Sequence, residues 1–268
     1  MFKTRLLSGI VLVALALILI ITGGNVLLVS TLVISWIGMF ELYRVFHMEK
    51  SIIAIAGYAA AAVYYANLRF AFLPDMMMFV LGFLIVLMFL YVFSYPKYHA
   101  EQILAAFFGV FYVAVMLSYV YQTRQITAGA YIVWLIFLCS WGCDTCAYCV
   151  GVLFGKHKMS PKLSPKKSVE GAVGGVVGAA LLTALYCFIF REAMAIDTTQ
   201  IWILSAISAV GALISMVGDL TASAIKRNYE IKDYGKLIPG HGGILDRFDS
   251  VIVTAPIIYA LASGLIQL

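Results

Sequence analysis

"AGAYIVWLIFLCSWGCDTCAYCVGVL", residues 128–153, decides what kind of protein this is. The run carries one charged side chain, Asp144. A helix needs about 20 mostly apolar residues to cross the roughly 30 Å hydrocarbon layer of a bilayer. This run is long enough, so it reads as a membrane-spanning helix. Its Cys143, Cys146 and Cys149 form C-x-x-C-x-x-C, a spacing also used by iron–sulfur and zinc sites. Those sites rely on turns that make the thiolates converge, and a continuous span has no turn. The three cysteines therefore read as small, buried, reduced packing residues; Cys139 in the same run and Cys187 also fall in apolar segments.

The rest of the chain has the same character. Of 268 residues, 63% are hydrophobic and 12% charged, and the mean hydropathy is +1.00. A soluble domain uses about 25% charged residues, so lipid must cover much of this surface. Nine candidate spans follow: 5–22, 25–46, 51–68, 73–94, 103–121, 128–153, 171–190, 199–225 and 248–267. Lys3 and Arg5 before the first span resemble a signal peptide. No small-residue cleavage site follows, so the segment reads as a retained helix.

Nine spans place the termini on opposite sides of the membrane. Alternating sides then leave three of the 18 Lys and Arg, namely Arg69, Arg124 and Arg191, opposite the N-terminus. Cytoplasmic loops carry the excess of positive charge. The expected fold is therefore an all-α, polytopic membrane protein with about nine helices, its N-terminus cytoplasmic and its C-terminus outside. Residues 1–125 form an N-terminal set of about five spans. Residues 126–268 are expected to form a C-terminal transmembrane region with cytoplasmic loops 154–171 and 226–247, the part of the chain in which the candidate site residues named below fall. The expected location is the inner or plasma membrane, with the site facing the cytoplasm and no nucleic-acid partner.

Charge gathers in this apolar chain at a few places. Acids at membrane depth, here Asp144 and Asp219, are costly unless they face protein, water or a cation. Asp219, Ser223, Lys226 and Arg227 read as one polar stripe on a helix. Asp246 and Asp249, at i and i+3, open the last span. Between these groups, "IPGHGG" at 238–243 supplies backbone freedom. The carboxylates of Asp219, Asp246 and Asp249 suit a hard cation such as Mg²⁺. Lys226, Arg227, Arg247 and His241 are donors that suit phosphate. Together they describe a site for a metal–polyphosphate complex. The competing reading is a solvated loop whose charges pair with one another. Lys166 and Lys167 in "SPKKSVEG" fit phosphate, and equally fit anionic lipid head groups. "GVLFGK" at 151–156 superficially suggests a P-loop, but it is one residue short, is followed by His157 and lacks a preceding strand.

"SAIKRNYEIKDYGKLIPGHGGILDRFD", residues 223–249, resembles the long hallmark motif of phosphatidate cytidylyltransferases, also called CDP-diacylglycerol synthases. "GDL" at 218–220, Asp144, Ala147-Tyr148, Gly151, "FGKHK", "SPKKSVEG" and the glycines 174–175 fit the same pattern. The resemblance covers most of the chain. One departure is Val152, where relatives usually carry a basic residue.

The resemblance implies that CTP and phosphatidic acid give CDP-diacylglycerol and pyrophosphate. It implies Asp219, Lys226, Asp246 and Arg247 as catalytic residues, and Asp219, Asp246 and Asp249 as metal ligands. It implies that Asp144, Lys166, Lys167, Ser223, Arg227, His241, Gly242 and Gly243 bind substrate. Mg²⁺, a second cation such as K⁺, surrounding membrane lipid and a homodimer are implied too. Two rivals share some of these features. A CTP-dependent lipid kinase would use similar groups to transfer the γ-phosphoryl. A transporter would line a path across the bilayer with polar residues, whereas here they gather towards one side.

Overall fold

A computed structural model describes residues 2–266, with side chains described for residues 7–264. The side chains of Lys3 and Arg5, and residue 267 at the end of the last expected span, lie outside the described residues. Each of the nine expected segments is helical: α1 (Phe2–Thr22), α2 (Gly24–Val45), α3 (Ile52–Phe70), α4 (Met76–Phe93), α5 (Ala100–Gln125), α6 (Gly129–Phe154), α7 (Val169–Met194), α8 (Thr198–Asn228) and α9 (Leu245–Ile266). Among the described residues, the seven from α2 to α8 are long and apolar enough to cross a membrane. The chain is thus a multi-pass, helical membrane protein.

Lipid explains the surface. Helix α4 has a mean hydropathy of 2.7, yet only 17% of it is buried. Met78, Met88, Phe89 and Phe93 all point outward. In water, so large an apolar patch would aggregate or bind a partner; in a bilayer it is the ordinary condition of a helix.

The chain divides into two compact units, residues 1–118 with 233–246, and residues 119–232 with 247–268. In the first unit, Tyr43 and Tyr65 are fully buried. Both reach into α5, which is π-helical over Val110–Val115. Tyr43 Oη donates to Ala106 O (2.9 Å) and Tyr65 Oη donates to Ala114 O (3.2 Å). Ala106 O also accepts from Val110 N, so the Tyr43 hydroxyl is a second donor to it; both hydroxyls tie their helices to α5 in hydrocarbon, where a buried polar group needs a partner.

In the second unit, α6, α7 and α8 pack through small residues, as membrane helices do when close van der Waals contact replaces a hydrophobic driving force. A side chain at Gly175 or Gly178 of α7 would collide with the Cys143 or Cys146 sulfur of α6. Interhelical hydrogen bonds tie the same region: Thr183 Oγ1 to Ser208 Oγ (2.6 Å), Cys139 Sγ to Ser208 Oγ (3.0 Å) and Tyr186 Oη to Tyr131 O (3.0 Å). Cys143, Cys146 and Cys149 lie on successive turns and pass from buried to exposed, so the expected burial holds for Cys143 and fails for Cys149, which the helix turns outward.

The stretch 154–171, expected as a loop, contains an antiparallel hairpin of β1 (Lys158–Ser160) and β2 (Ser164–Ser168). Pro165 is compatible with β2 because a two-stranded hairpin leaves one edge of each strand unpaired. Glu170 anchors its base. The carboxylate accepts from Lys156 N (3.1 Å) and His157 N (3.2 Å), and His157 Nδ1 lies 2.6 Å from it. Gly155 caps the end of α6 just before it, so "GVLFGK" is a helix end.

Candidate active site

In the second unit a cavity of about 830 Å³ opens between α6, the hairpin, α7 and α8. Asp144, Lys166, Lys167, Asp219 and Arg247 line it, with Tyr148, Val152 and Met216 among its less polar walls. Each charged group arrives for a local reason. A π-helical stretch, Leu138–Gly142, ends just before Asp144; such bulges re-aim the side chains that follow. Alternation along β2 leaves Lys166 exposed and turns Lys167 inward, where its ammonium pairs with Asp219 of α8. The next residue, Ser168, caps α7 by accepting from Gly171 N (3.1 Å). Trp141 Nε1 donates to the Arg247 carbonyl (3.2 Å), fixing the start of α9 against α6.

The electrostatic pattern is mixed and nearly balanced. Asp144 lies within reach of Asp219, Lys167 and Arg247. Asp249, buried, lies within reach of Asp219, Lys226 and Asp144. Lys226 is buried as well. Three carboxylates thus meet three cations. Arg247 Nε is buried and has no hydrogen-bond partner among the described residues. A buried donor left unpaired costs about 1–3 kcal/mol, so this N–H is poised to gain from an anionic ligand. Among the described residues, no three or more His, Cys, Asp or Glu side chains are disposed to hold a metal ion.

The other expected site residues belong elsewhere. Ser223 is half-buried on α8 and Arg227, one residue past the buried Lys226, is exposed; neither lines the cavity. His241, Gly242 and Gly243, in the loop before α9, and Asp246, in the first turn of α9, belong to the first unit. There Ile238 and Gly242 form an isolated bridge, with Gly240 and Gly242 at positive φ (78° and 88°). His241 Nδ1 lies 2.7 Å from Ser8 Oγ of α1, and Ser8 Oγ donates to Pro239 O (3.0 Å). Asp246 Oδ2 accepts from Tyr234 N (2.8 Å) and Gly243 N (2.9 Å), closing the loop onto itself.

Sequence reading passed over Glu41 and Arg44 of α2. Glu41 is 4% exposed, and its carboxylate accepts from Ile244 N (3.1 Å) and Leu245 N (2.8 Å). Arg44 donates to the Tyr234 carbonyl. The cost of an acid at membrane depth, which drew attention to Asp144 and Asp219, applies equally to Glu41 and was the available signal. Trp141 carried no signal at all.

Comparison with known proteins agrees with the motif. Residues 3–264 match the Cytidylyltransferase family. A phosphatidate cytidylyltransferase of Staphylococcus saprophyticus is 31% identical over 269 residues, covering 97% of this chain and 98% of the relative. Those of Staphylococcus aureus and Staphylococcus epidermidis are 32% and 33% identical, again over 97% of this chain and 98% of each relative. With the match running from the first helix to the last, the chain belongs to the cytidylyltransferase family.

Proposed function

We infer that this chain is a phosphatidate cytidylyltransferase, converting CTP and phosphatidic acid into CDP-diacylglycerol and pyrophosphate. The observation that carries the reading at the level of the site is the cavity itself. It gathers Lys166, Lys167 and Arg247 beside Asp144 and Asp219, among membrane helices, with a buried Arg247 N–H awaiting an acceptor.

The chemistry asks little of a general base. A phosphate oxygen of phosphatidic acid, ionised at neutral pH, attacks the α-phosphorus of CTP, and pyrophosphate departs. The barrier lies in bringing two anions together and in the charge that develops on the leaving group, so preorganised cations do most of the work. Lys167 and Arg247 are proposed to hold phosphate oxygens inside the cavity, and Lys166 to meet them at its exposed side. Lys226 screens Asp249. Asp144, Asp219 and Asp249 lie within electrostatic reach of one another, and one ammonium already rests on Asp219; a hard cation is what the family resemblance expects of Asp219 and Asp249. Asp219 and Asp249 are proposed to hold Mg²⁺, which when bound would neutralise charge on the phosphates. Asp246, the motif's other acid, is proposed as catalytic, with its place fixed by Tyr234 and Gly243. Ser223, Arg227, His241 and the glycines at 242–243 keep their proposed substrate roles from the motif.

Nine crossings, a cytoplasmic N-terminus, a cytoplasmic site in the inner membrane, K⁺ as a second cation and a homodimer complete the proposal. The lysine and arginine distribution supports the orientation; family resemblance supports the cation and the dimer. Purified protein given CTP and phosphatidate micelles should release one pyrophosphate for each CTP consumed, and none without the lipid. Release of CDP instead would mark a γ-phosphoryl transfer and overturn the reading.

A further inference from the structure

We propose that Glu41 and Arg44, one turn of α2, are positioning residues that fix the loop 233–246 and thereby Asp246. The inference rests on the functional reading above. Its geometry lies wholly within the first unit.

The N-terminus of a helix leaves backbone N–H groups without intrahelical partners. In α9, two N–H groups at this start, Ile244 N and Leu245 N, donate to Glu41 (3.1 and 2.8 Å), a residue of another helix more than two hundred positions earlier. An ionised carboxylate at this point makes charge-assisted bonds and meets the positive end of the helix dipole. Arg44, on the same face of α2, holds the opposite end of the loop through the Tyr234 carbonyl. The nitrogen of Tyr234 donates to Asp246, as does Gly243 N. The peptide groups adjoining those that grip Asp246 are therefore held by α2.

Three glycines make the arrangement possible. A Cβ on Gly235 or on Gly243 would collide with the Glu41 carboxylate. A side chain at Gly242 would strike Asp246 Oδ2 and would also sit at positive φ. The glycines of "HGG" thus make room for two carboxylates, one local and one from α2.

The test uses the full-length protein in detergent. Glu41→Gln keeps the volume but sets an amide against one of the two N–H donors. It should lower kcat at least tenfold per folded molecule, measured well below its thermal midpoint, with KM for CTP within about threefold of wild type, as removal of positioning without loss of binding predicts. Hydrogen exchange at Ile244 and Leu245 should rise at least tenfold, while α6–α8 stay protected. Glu41→Asp, one methylene shorter, should not restore the rate. Arg44→Gln, at an exposed side chain, should show the same signature more weakly and covers the case in which Glu41 variants fail to fold. A lower midpoint with wild-type kcat overturns the proposal, whether or not exchange rises, because Glu41 would then only stabilise the fold. If wild-type protein fails to make CDP-diacylglycerol, the functional reading has failed, and the exchange arm still reports on the clamp.

Discussion

Lys167→Met removes one ammonium and keeps most of the apolar stem. The Lys167 and Asp219 side chains retain 26% and 25% of their exposure. Their pair therefore lies between an exposed ion pair, worth about 0–1 kcal/mol, and a buried one, whose one-sided loss costs about 3–5 kcal/mol. About 1–2 kcal/mol of stability should be lost. At about 2–4 °C for each kcal/mol, the thermal midpoint should fall by about 2–8 °C. Catalysis should suffer far more. Removing one preorganised group that faces developing charge costs about 10²–10³ in kcat. Initial rates at saturating CTP, taken at least 15 °C (on the order of twice the expected shift) below the midpoint and divided by the folded fraction, separate the two effects. A per-molecule kcat within twofold of wild type, with any fall in midpoint, would refute the role given to Lys167.

Asp219→Asn and Asp249→Asn should each abolish most turnover and raise the Mg²⁺ concentration needed for half activity. Their combined effect should fall short of the product of the two, because each disables the same bound state; multiplicative losses in titrations against Mg²⁺ would separate the two acids. Gly178→Ala drives a methyl into Cys146 and should destabilise by about 1–3 kcal/mol. Adding Cys146→Gly, which removes both the Cβ and the Sγ that the methyl meets, should recover part of that loss in a thermal melt, and no relief would remove the contact from the account. Tyr65→Phe deletes a hydroxyl shared with Ser35 and Ala114. It should cost about 0.5–1.5 kcal/mol and leave the per-molecule kcat unchanged; an altered rate would show that the first unit's core acts on the chemistry.

Helices were legible wherever apolar runs exceeded the thickness of a bilayer, because the membrane forces every backbone group to pair within its own segment. The limits of that signal show at the two ends. By length and composition, α1 and α9 fall short among the described residues, and α9 carries Asp246, Arg247 and Asp249 within its first five residues. The hairpin was hidden by Pro161 and Pro165, which read as loop because no sequence pattern says that a strand edge is free. The π stretches in α5 and α6 carry no propensity signal and show only in the structure.

The site was legible as a set of residue types and less so as an arrangement. Asp144 and Asp219 stood out because an acid in an apolar segment is costly, Lys167 and Arg247 because they are donors that suit phosphate, and the cavity gathers all four. Asp246 and Asp249, spaced to share a helix face, meet different partners: loop N–H groups for one, Lys226 and Asp219 electrostatically for the other. His241 reads as a donor for phosphate in sequence, yet its Nδ1 neighbour is Ser8, a pairing set by how α1 packs. Glu41 shows in sequence only as an acid at membrane depth; its partners are backbone groups, which have no residue identity to read.

The central claim is that cytidylyl transfer to phosphatidic acid depends on the cavity bearing Lys167, Asp219 and Arg247. Its most direct test follows the position of a phosphorus label. Protein reconstituted with phosphatidic acid receives CTP labelled at the α- or at the γ-phosphate, in wild type and in Arg247→Met. The account predicts α-label in the lipid product and γ-label in pyrophosphate, both lost in the variant while the protein remains folded. Label from the γ-phosphate in the lipid, or undiminished α-transfer by Arg247→Met, would contradict it.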